Sequence, residues 1–260
     1  MKVSIITSCF NRAATIRDAI ESVLAQDYNA IEFIVVDGAS TDGSWEIIRE
    51  YEGRISTIIS EPDHGMYEAI NKGIRVATGD VIGLLHSDDF FYDNGVISRI
   101  VEHMKTTRAD FLYGDGLFVN PDNTDKVVRN WIGGDYRLWK VRHGWLPLHP
   151  TCYIRREVMM RLGLYNEVIR LLRIVNCWCV IWWRADFLLL IWKSMLPIVC
   201  SKEADMYSAR TRGMNSGSSI TLPDSTAIYY WGIMSKKEMT GALWKHSYSA
   251  YSCLPSDIIS

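Results

Sequence analysis

No stretch of this 260-residue chain holds the ~18 consecutive apolar residues that a membrane span requires. The nearest approach, residues 174–192, is interrupted by Asn176, Arg184 and Asp186. The opening MKVSIITSCFNR carries too short an apolar run for a signal peptide. Charge of one sign is also lacking: a net charge of −2 gives no electrostatic reason to expect nucleic acid as a partner. The six cysteines (Cys9, Cys152, Cys177, Cys179, Cys200, Cys253) show no metal-ligand spacing, because Cys177-x-Cys179 is not a C-x-x-C pair and no partner pair follows it. Free thiols in a reducing cytoplasm are the simplest reading. G-x-G-x-x-G is absent after the first apolar run, which argues against a nicotinamide or flavin site. G-x-x-x-x-G-K-[ST] is absent too, which argues against a P-loop nucleotidase.

What is present is a regular alternation. About half the residues (48%) are apolar, enough for one large domain or two small ones. Residues 3–8 (VSIITS) and 31–36 (IEFIVV) are β-branched and apolar, as strands buried on both faces must be. Between them, Ile16, Ala19, Ile20, Val23 and Leu24 recur at helical spacing, and Thr15 stands where it can cap that helix. A polar loop, 37–42 (DGASTD), precedes a helix over 45–51, and a short strand over 55–59 follows. Strand–helix alternation of this kind predicts a mostly parallel sheet with helices on its faces. Further on, the pattern predicts a helix over 96–104, a strand over 110–119 broken by Gly114-Asp115-Gly116, and a returning strand over 126–131. An irregular aromatic stretch, 137–148, leads to His149-Pro150-Thr151, a strand over 152–154 and a helix over 156–162 closed by Gly163.

The stretch that organises the chain is 61–91, EPDHGMYEAINKGIRVATGDVIGLLHSDDFF. Met66, Ala69, Ile70, Ile74 and Val76 space a helix with one buried face, and 81–85 is a short apolar strand ending in His86-Ser87-Asp88-Asp89. A bare Asp-Asp pair more often opens a solvated loop than a site. Here the pair follows a strand end, where open α/β sheets bind ligands. Hard divalent cations sit on one or two carboxylates plus substrate phosphates. The strand ends at Ser8, Asp37 and Asp88 all carry small polar or acidic groups. Asp37 can accept from a base N–H, and a cation on Asp88 or Asp89 can hold a diphosphate.

These residues carry a resemblance. VSIITSCFNR (3–12), SVLAQDY (22–28), EFIVVDGASTDGS (32–44), DHGMYEAINKGIRVATGDVIGLLHSDD (63–89) and HPTCYIRREVMMRLGLYNE (149–167) resemble family-2 glycosyltransferases of the type that builds bacterial surface polysaccharides. The resemblance implies a GT-A fold, a Rossmann-like, mostly parallel sheet with helices on both faces. It also implies a nucleotide-sugar half (about 1–95) and an acceptor half (about 96–167). The activity it implies is transfer of a sugar, with inversion, from a nucleotide-diphospho-sugar (a UDP-sugar first) to a glycan or lipid-linked acceptor. By the same resemblance Ser8, Asn11, Asp37, Asp63, Gly65, Asn71, Ser87 and Asp88 face the nucleotide-sugar. Asp88 and Asp89 hold Mg²⁺ or Mn²⁺, and Asp115 and His149 lie on the acceptor side. The first acid of the family's metal motif is His86 here. Lipid-linked acceptors would bring the protein to the inner face of the membrane as a peripheral partner.

The resemblance stops near Glu167. Relatives carry the general base on a following helix reading roughly A-x-D-x-E-L-L-x-R, and this chain reads VIRLLRIVNCWCVIWWRADF instead. Six of ten tryptophans and four of six cysteines fall after Glu167, against six of thirty acidic residues. Reading each codon's last base with the first two of the next, Asn176 to Cys179 must give Leu-Leu-Val, and the preceding junctions permit A-A-D-x-E. A one-base frameshift near codon 167 would account for the loss; the competing reading is a truly divergent C-terminus over 168–260. As written, Asp186 is the only carboxylate for some distance and a poor candidate for the base, flanked by Arg184 and apolar bulk. The rival reading is a nucleotide-sugar-binding remnant without transfer activity.

Overall fold

The computed structural model describes residues 1–142, 145–165 and 191–201, the last by its backbone. Asp186, the poor candidate for the missing base, and most of the tail lie outside these residues. Nine strands form one sheet among the described residues: β1 (Val3–Cys9), β2 (Ile31–Asp37), β3 (Thr57–Ser60), β4 (Val81–Leu84), β5 (Asp89–Phe91), β6 (Phe111–Asn120), β7 (Asn123–Trp131), β8 (Cys152–Arg155) and β9 (Ile191–Ser201). Six helices accompany them: α1 (Ile16–Leu24), α2 (Ser44–Glu50), α3 (Met66–Val76), α4 (Val96–Thr107), α5 (Leu138–Arg142) and α6 (Arg156–Leu162). The order is β3-β2-β1-β4-β8-β6-β9-β5, with β7 hairpinned onto β6. The first four are mutually parallel, and β8 enters antiparallel between β4 and β6.

The continuous apolar runs explain the layering. Along β1 and β2, Val3, Ile5, Phe33 and Val35 point to one face and pack with Ile16, Ile20, Ile48, Ile97 and Ile100 of α1, α2 and α4. Ile6, Ile34 and Val36 point to the other face and meet Ile70 and Ile74 of α3 and Val158 of α6. Both faces of the parallel strands are thus covered, as βαβ crossovers require. Gly83 on β4 lies opposite Tyr153 on β8, and a Cβ there would sit 2.3 Å from the tyrosine ring. The absence of a side chain lets the two strands close over a fully buried aromatic.

Several local expectations need correction. Thr15 occupies the N-cap position of α1, yet its hydroxyl caps nothing and is sealed without a partner. The first turn is closed by the Arg12 carbonyl instead, which accepts from Thr15 and Ile16. Strand β6 runs through Gly114-Asp115-Gly116 unbroken, and the glycines register only as a slip against β9. The stretch 137–148 contains the short helix α5. Asp89 begins a strand, β5, rather than continuing a loop.

Candidate active site

Strand order places the site. The chain lays β2 and β3 on one side of β1, then crosses back to lay β4 on the other. The carboxyl ends of β1 and β4 therefore diverge into loops at a topological switch point, where a crevice opens. The parallel registers, Ile6↔Leu84 and Cys9↔Asp37, bring the loops beginning at Phe10, Gly38 and Leu85 to the same end of the sheet. Strand β8 runs antiparallel to β4, so the 3-10 turn His149–Thr151 at its start joins the same rim.

Past β2, Asp37 is fully buried, and its carboxylate accepts the Ser40 N–H (3.1 Å) and the Ser60 hydroxyl (2.9 Å). The Asn11 side chain accepts from the Thr41 N–H, and the Asn11 N–H reaches the Ser40 hydroxyl. Asn11 sits at φ 52°, a left-handed conformation that asparagine tolerates better than most residues. Ser8 is buried at the end of β1. Asp63 accepts the Gly65 N–H at 2.8 Å, and its other carboxylate oxygen lies where a Cβ on Gly38 would be, 2.6 Å away. The loops after β2 and β3 are thus locked together through Gly38. Cys9, beneath them, has its thiol pushed up to about 11 by burial first and the Asp37 charge second. It is an inert packing group at neutral pH.

Past β4, Ser87 is buried and Asp88 is half-exposed with no hydrogen-bond partner among the described residues. Asp89 is only 4% exposed, at the head of β5. His86 turns away from the acidic pair: its Nε2 lies 3.3 Å from Nδ1 of His149. Burial pushes the His149 imidazole well below its ordinary pKa, with His86 adding to the effect. His86 is lowered too, by burial against the opposing pull of Asp88, with Arg12 reinforcing the fall. Asp115, on β6, accepts the Gly133 N–H at 2.8 Å. Asn71 lies on the buried side of α3, where its amide brackets Tyr165: the side chain donates to the Tyr165 carbonyl and accepts its N–H. It ties α3 to the segment after α6 instead of joining the open rim.

Two rim residues carried no sequence signal of their own. Phe10, 59% exposed, stands at the end of β1 with its ring against Gly38. Arg12 is exposed, pairs with no carboxylate among the described residues, and is close enough for its charge to act on His86. Only their place past the carboxyl end of the central strand could have marked them.

A divalent cation is compatible with this arrangement. No three His, Cys, Asp or Glu side chains cluster as a complete cage among the described residues. One or two carboxylates, Asp88 and Asp89, suit an ion that takes its other ligands from phosphates and water.

An open α/β sheet with an acidic, partly open rim at its switch point is an arrangement in which such folds bind ligands. The model of glycosyl transferase family 2 matches residues 4–167, more than half of the chain, and the chain belongs to that family. It is 28% identical over 173 residues to a PGL/p-HBAD biosynthesis glycosyltransferase of Mycobacterium bovis, covering 65% of this chain and 65% of that relative. It is 41% identical over 101 residues to an uncharacterized glycosyltransferase of Mycobacterium tuberculosis, 38% of each. Among solved structures, S. aureus TarS 1-349 in complex with UDP-GlcNAc superposes with a TM-score of 0.63 at 18% identity, covering 77% of this chain and 58% of that one. The mannosyltransferase PcManGT from Pyrobaculum calidifontis, in complex with GDP-Man and Mn²⁺, superposes with a TM-score of 0.60 at 15% identity, covering 96% and 79%. The GT-A fold class expected from the sequence is the fold observed. No helix among the described residues is long and apolar enough to cross a membrane.

Proposed function

We propose that the chain transfers a sugar, with inversion, from a nucleotide-diphospho-sugar to a glycan or lipid-linked saccharide in polysaccharide biosynthesis, a UDP-sugar being the first donor to test. The observation that carries this reading is the meeting of Asp37, Asp63 and Asp88 on the carboxyl ends of β2, β3 and β4 beside the β1/β4 switch point. In this reading the loop braced by Asp37 receives the base. Asp63 and the Gly65 N-terminus of α3 border the phosphates and the sugar. Asp88, with Asp89 behind it, holds Mg²⁺ or Mn²⁺, which when bound acts as a Lewis acid on the departing diphosphate. Arg12 adds a cation on the opposite lip. Asp115 and His149 border the acceptor.

Titration calorimetry tests this. UDP, GDP and dTDP are offered with and without Mn²⁺ to the full chain and to its Asp88→Ala/Asp89→Ala variant. Ion-dependent binding that the variant loses supports the reading; binding that ignores both the ion and the acids ends it.

A second reading has its own observation. Inversion needs a carboxylate to take the acceptor proton, and the written sequence lacks the helix that carries it in relatives. On that reading the chain binds nucleotide-sugars without turning them over. Mass spectrometry of donor hydrolysis and transfer products separates the two: tight binding without product favours the second.

A further inference from the structure

The His86–His149 pair is a departure with chemical content. The rings lie 4.6 Å apart, tilted by 51°, with Nε2 of His86 and Nδ1 of His149 at 3.3 Å. Two N–H groups cannot face each other there, and two bare lone pairs would repel, so one proton lies between the nitrogens. That leaves two arrangements. If His86 donates, His149 must carry its remaining proton on Nε2. If His149 donates from Nδ1, its Nε2 is a bare lone pair and the remaining proton of His86 sits on Nδ1.

The surroundings choose between them. His149 is 6% exposed, and its Nε2 is sealed from solvent without a partner among the described residues. A sealed N–H with nothing to accept it is the rarer and costlier orphan; an under-used acceptor is tolerated more often. His86 is half-buried, and its Nδ1 is not among the sealed polar atoms. Among the described residues its one hydrogen-bond contact is to His149.

We infer that His149 fixes His86 as the Nδ1–H tautomer, so that the rim presents an N–H donor beside Asp88 for an oxygen of the bound nucleotide-sugar. This rests on the nucleotide-sugar reading above for its ligand, but not for the tautomer. His86 replaces a carboxylate in the family's metal motif with a group that donates instead of repelling phosphate. The accepting oxygen belongs either to the diphosphate or to a hydroxyl of the sugar. His149 is then a positioning residue, acting only through His86.

Two measurements on the full chain decide it. Two-bond proton–nitrogen correlation on the ¹⁵N-histidine-labelled protein reads each imidazole's tautomer, with the two signals assigned through His86→Gln and His149→Gln. Both histidines are expected as Nδ1–H; an Nε2–H form of His149 overturns the inference whether or not nucleotides bind. Calorimetry with UDP–Mn²⁺ and UDP-GlcNAc–Mn²⁺ then compares wild type, His86→Gln, whose amide can still donate, and His86→Asp. His86→Asp is expected to weaken binding roughly ten- to a hundredfold, with His86→Gln close to wild type. A loss seen with UDP assigns the oxygen to the diphosphate, and a loss seen only with UDP-GlcNAc assigns it to the sugar. If His86→Asp binds both as tightly as wild type, the donor role is refuted. A wild-type chain that binds neither nucleotide refutes the functional reading, while the tautomer spectrum still decides where the proton sits.

Discussion

Replacing Glu32 by glutamine perturbs the opposite end of the sheet and isolates one electrostatic contribution to stability. Glu32 is 7% exposed, yet four donors converge on its carboxylate: Lys2 Nζ (2.7 Å), the Ser4 hydroxyl (2.6 Å), the Thr78 N–H (2.7 Å) and the Thr78 hydroxyl. The Ser4 hydroxyl accepts the Gly79 N–H, so its own proton can only be turned outward, toward Glu32. Burial alone would raise the Glu32 pKa; the bonds from Lys2, Ser4 and Thr78 outweigh it and hold the carboxyl down at about 2, from 4.5. At about 1.4 kcal/mol per tenfold change, that difference is worth about 3 kcal/mol of folding stability. Lys2 is nearly half exposed and supplies the more screened part of it. Because the folded-state value lies below the unfolded one, the contribution is complete above about pH 4.5. It is withdrawn as pH falls through about 2. In glutamine the amide would point N–H groups at a fixed donor, the Thr78 N–H or the Ser4 hydroxyl. Urea unfolding followed by circular dichroism should therefore show Glu32→Gln destabilised by about 2 to 3 kcal/mol at pH 7, with the gap narrowing at pH 3. A gap below about 1 kcal/mol at pH 7, an ordinary neutral hydrogen bond's worth, or one that does not change with pH, refutes this account of the network.

The remaining perturbations address the core and the site. Gly83→Ala should lower stability by about 2 to 3 kcal/mol, read from the urea midpoint, because its Cβ would meet the buried Tyr153 ring. Asn71→Ala leaves the Tyr165 N–H and carbonyl without their side-chain partners. Hydrogen exchange at Tyr165 should accelerate, and stability should fall by about 2 kcal/mol; unchanged exchange would show that the bracket holds nothing. Gly38→Ala should displace Asp63 and weaken UDP binding in calorimetry while leaving thermal stability nearly unchanged, since the overlap falls on a rim side chain. Asp88→Ala alone should remove the Mn²⁺-dependent part of UDP affinity, roughly tenfold or more, without unfolding the chain, because Asp88 makes no internal hydrogen bond among the described residues.

The parallel half of the fold was legible because its strands are buried on both faces. VSIITS and IEFIVV need no partner information to be read as interior strands, and α3 announces itself by Ala69, Ile70 and Ile74. Their carboxyl ends then had to share a rim, so Ser8, Asp37 and Asp88 could be grouped before any coordinates, while Asp63 came only with the resemblance. What escaped depends on pairings distant in sequence. Strand β5 is three residues long and pairs with β9, more than a hundred residues later, so Asp89 read as loop. Thr15 looked like a cap because capping chemistry is local, while its hydroxyl was overruled by packing. The His86–His149 contact joins residues 63 apart and exists only because β8 runs back beside β4. Phe10 and Arg12 belong to an ordinary-looking turn, and position alone makes them candidates.

The rim divides its acids by what their lone pairs are already doing. Asp37 is buried and holds Ser40 and Ser60, so its first effect is on the shape of the loop that would meet a base. Asp63 holds the Gly65 N–H and abuts Gly38, joining that loop to the start of α3. Asp88 is the rim acid whose oxygens carry no internal obligation among the described residues. A cation would therefore compensate an otherwise unneutralised charge at Asp88, whereas at Asp37 it would have to compete with bonds that hold the loop. With His86 turned to His149, the acids just past β4 are Asp88 and Asp89. On the proposed reading a diphosphate would meet one more donor in that loop, and a bound ion would rest on Asp88 with Asp89 behind it.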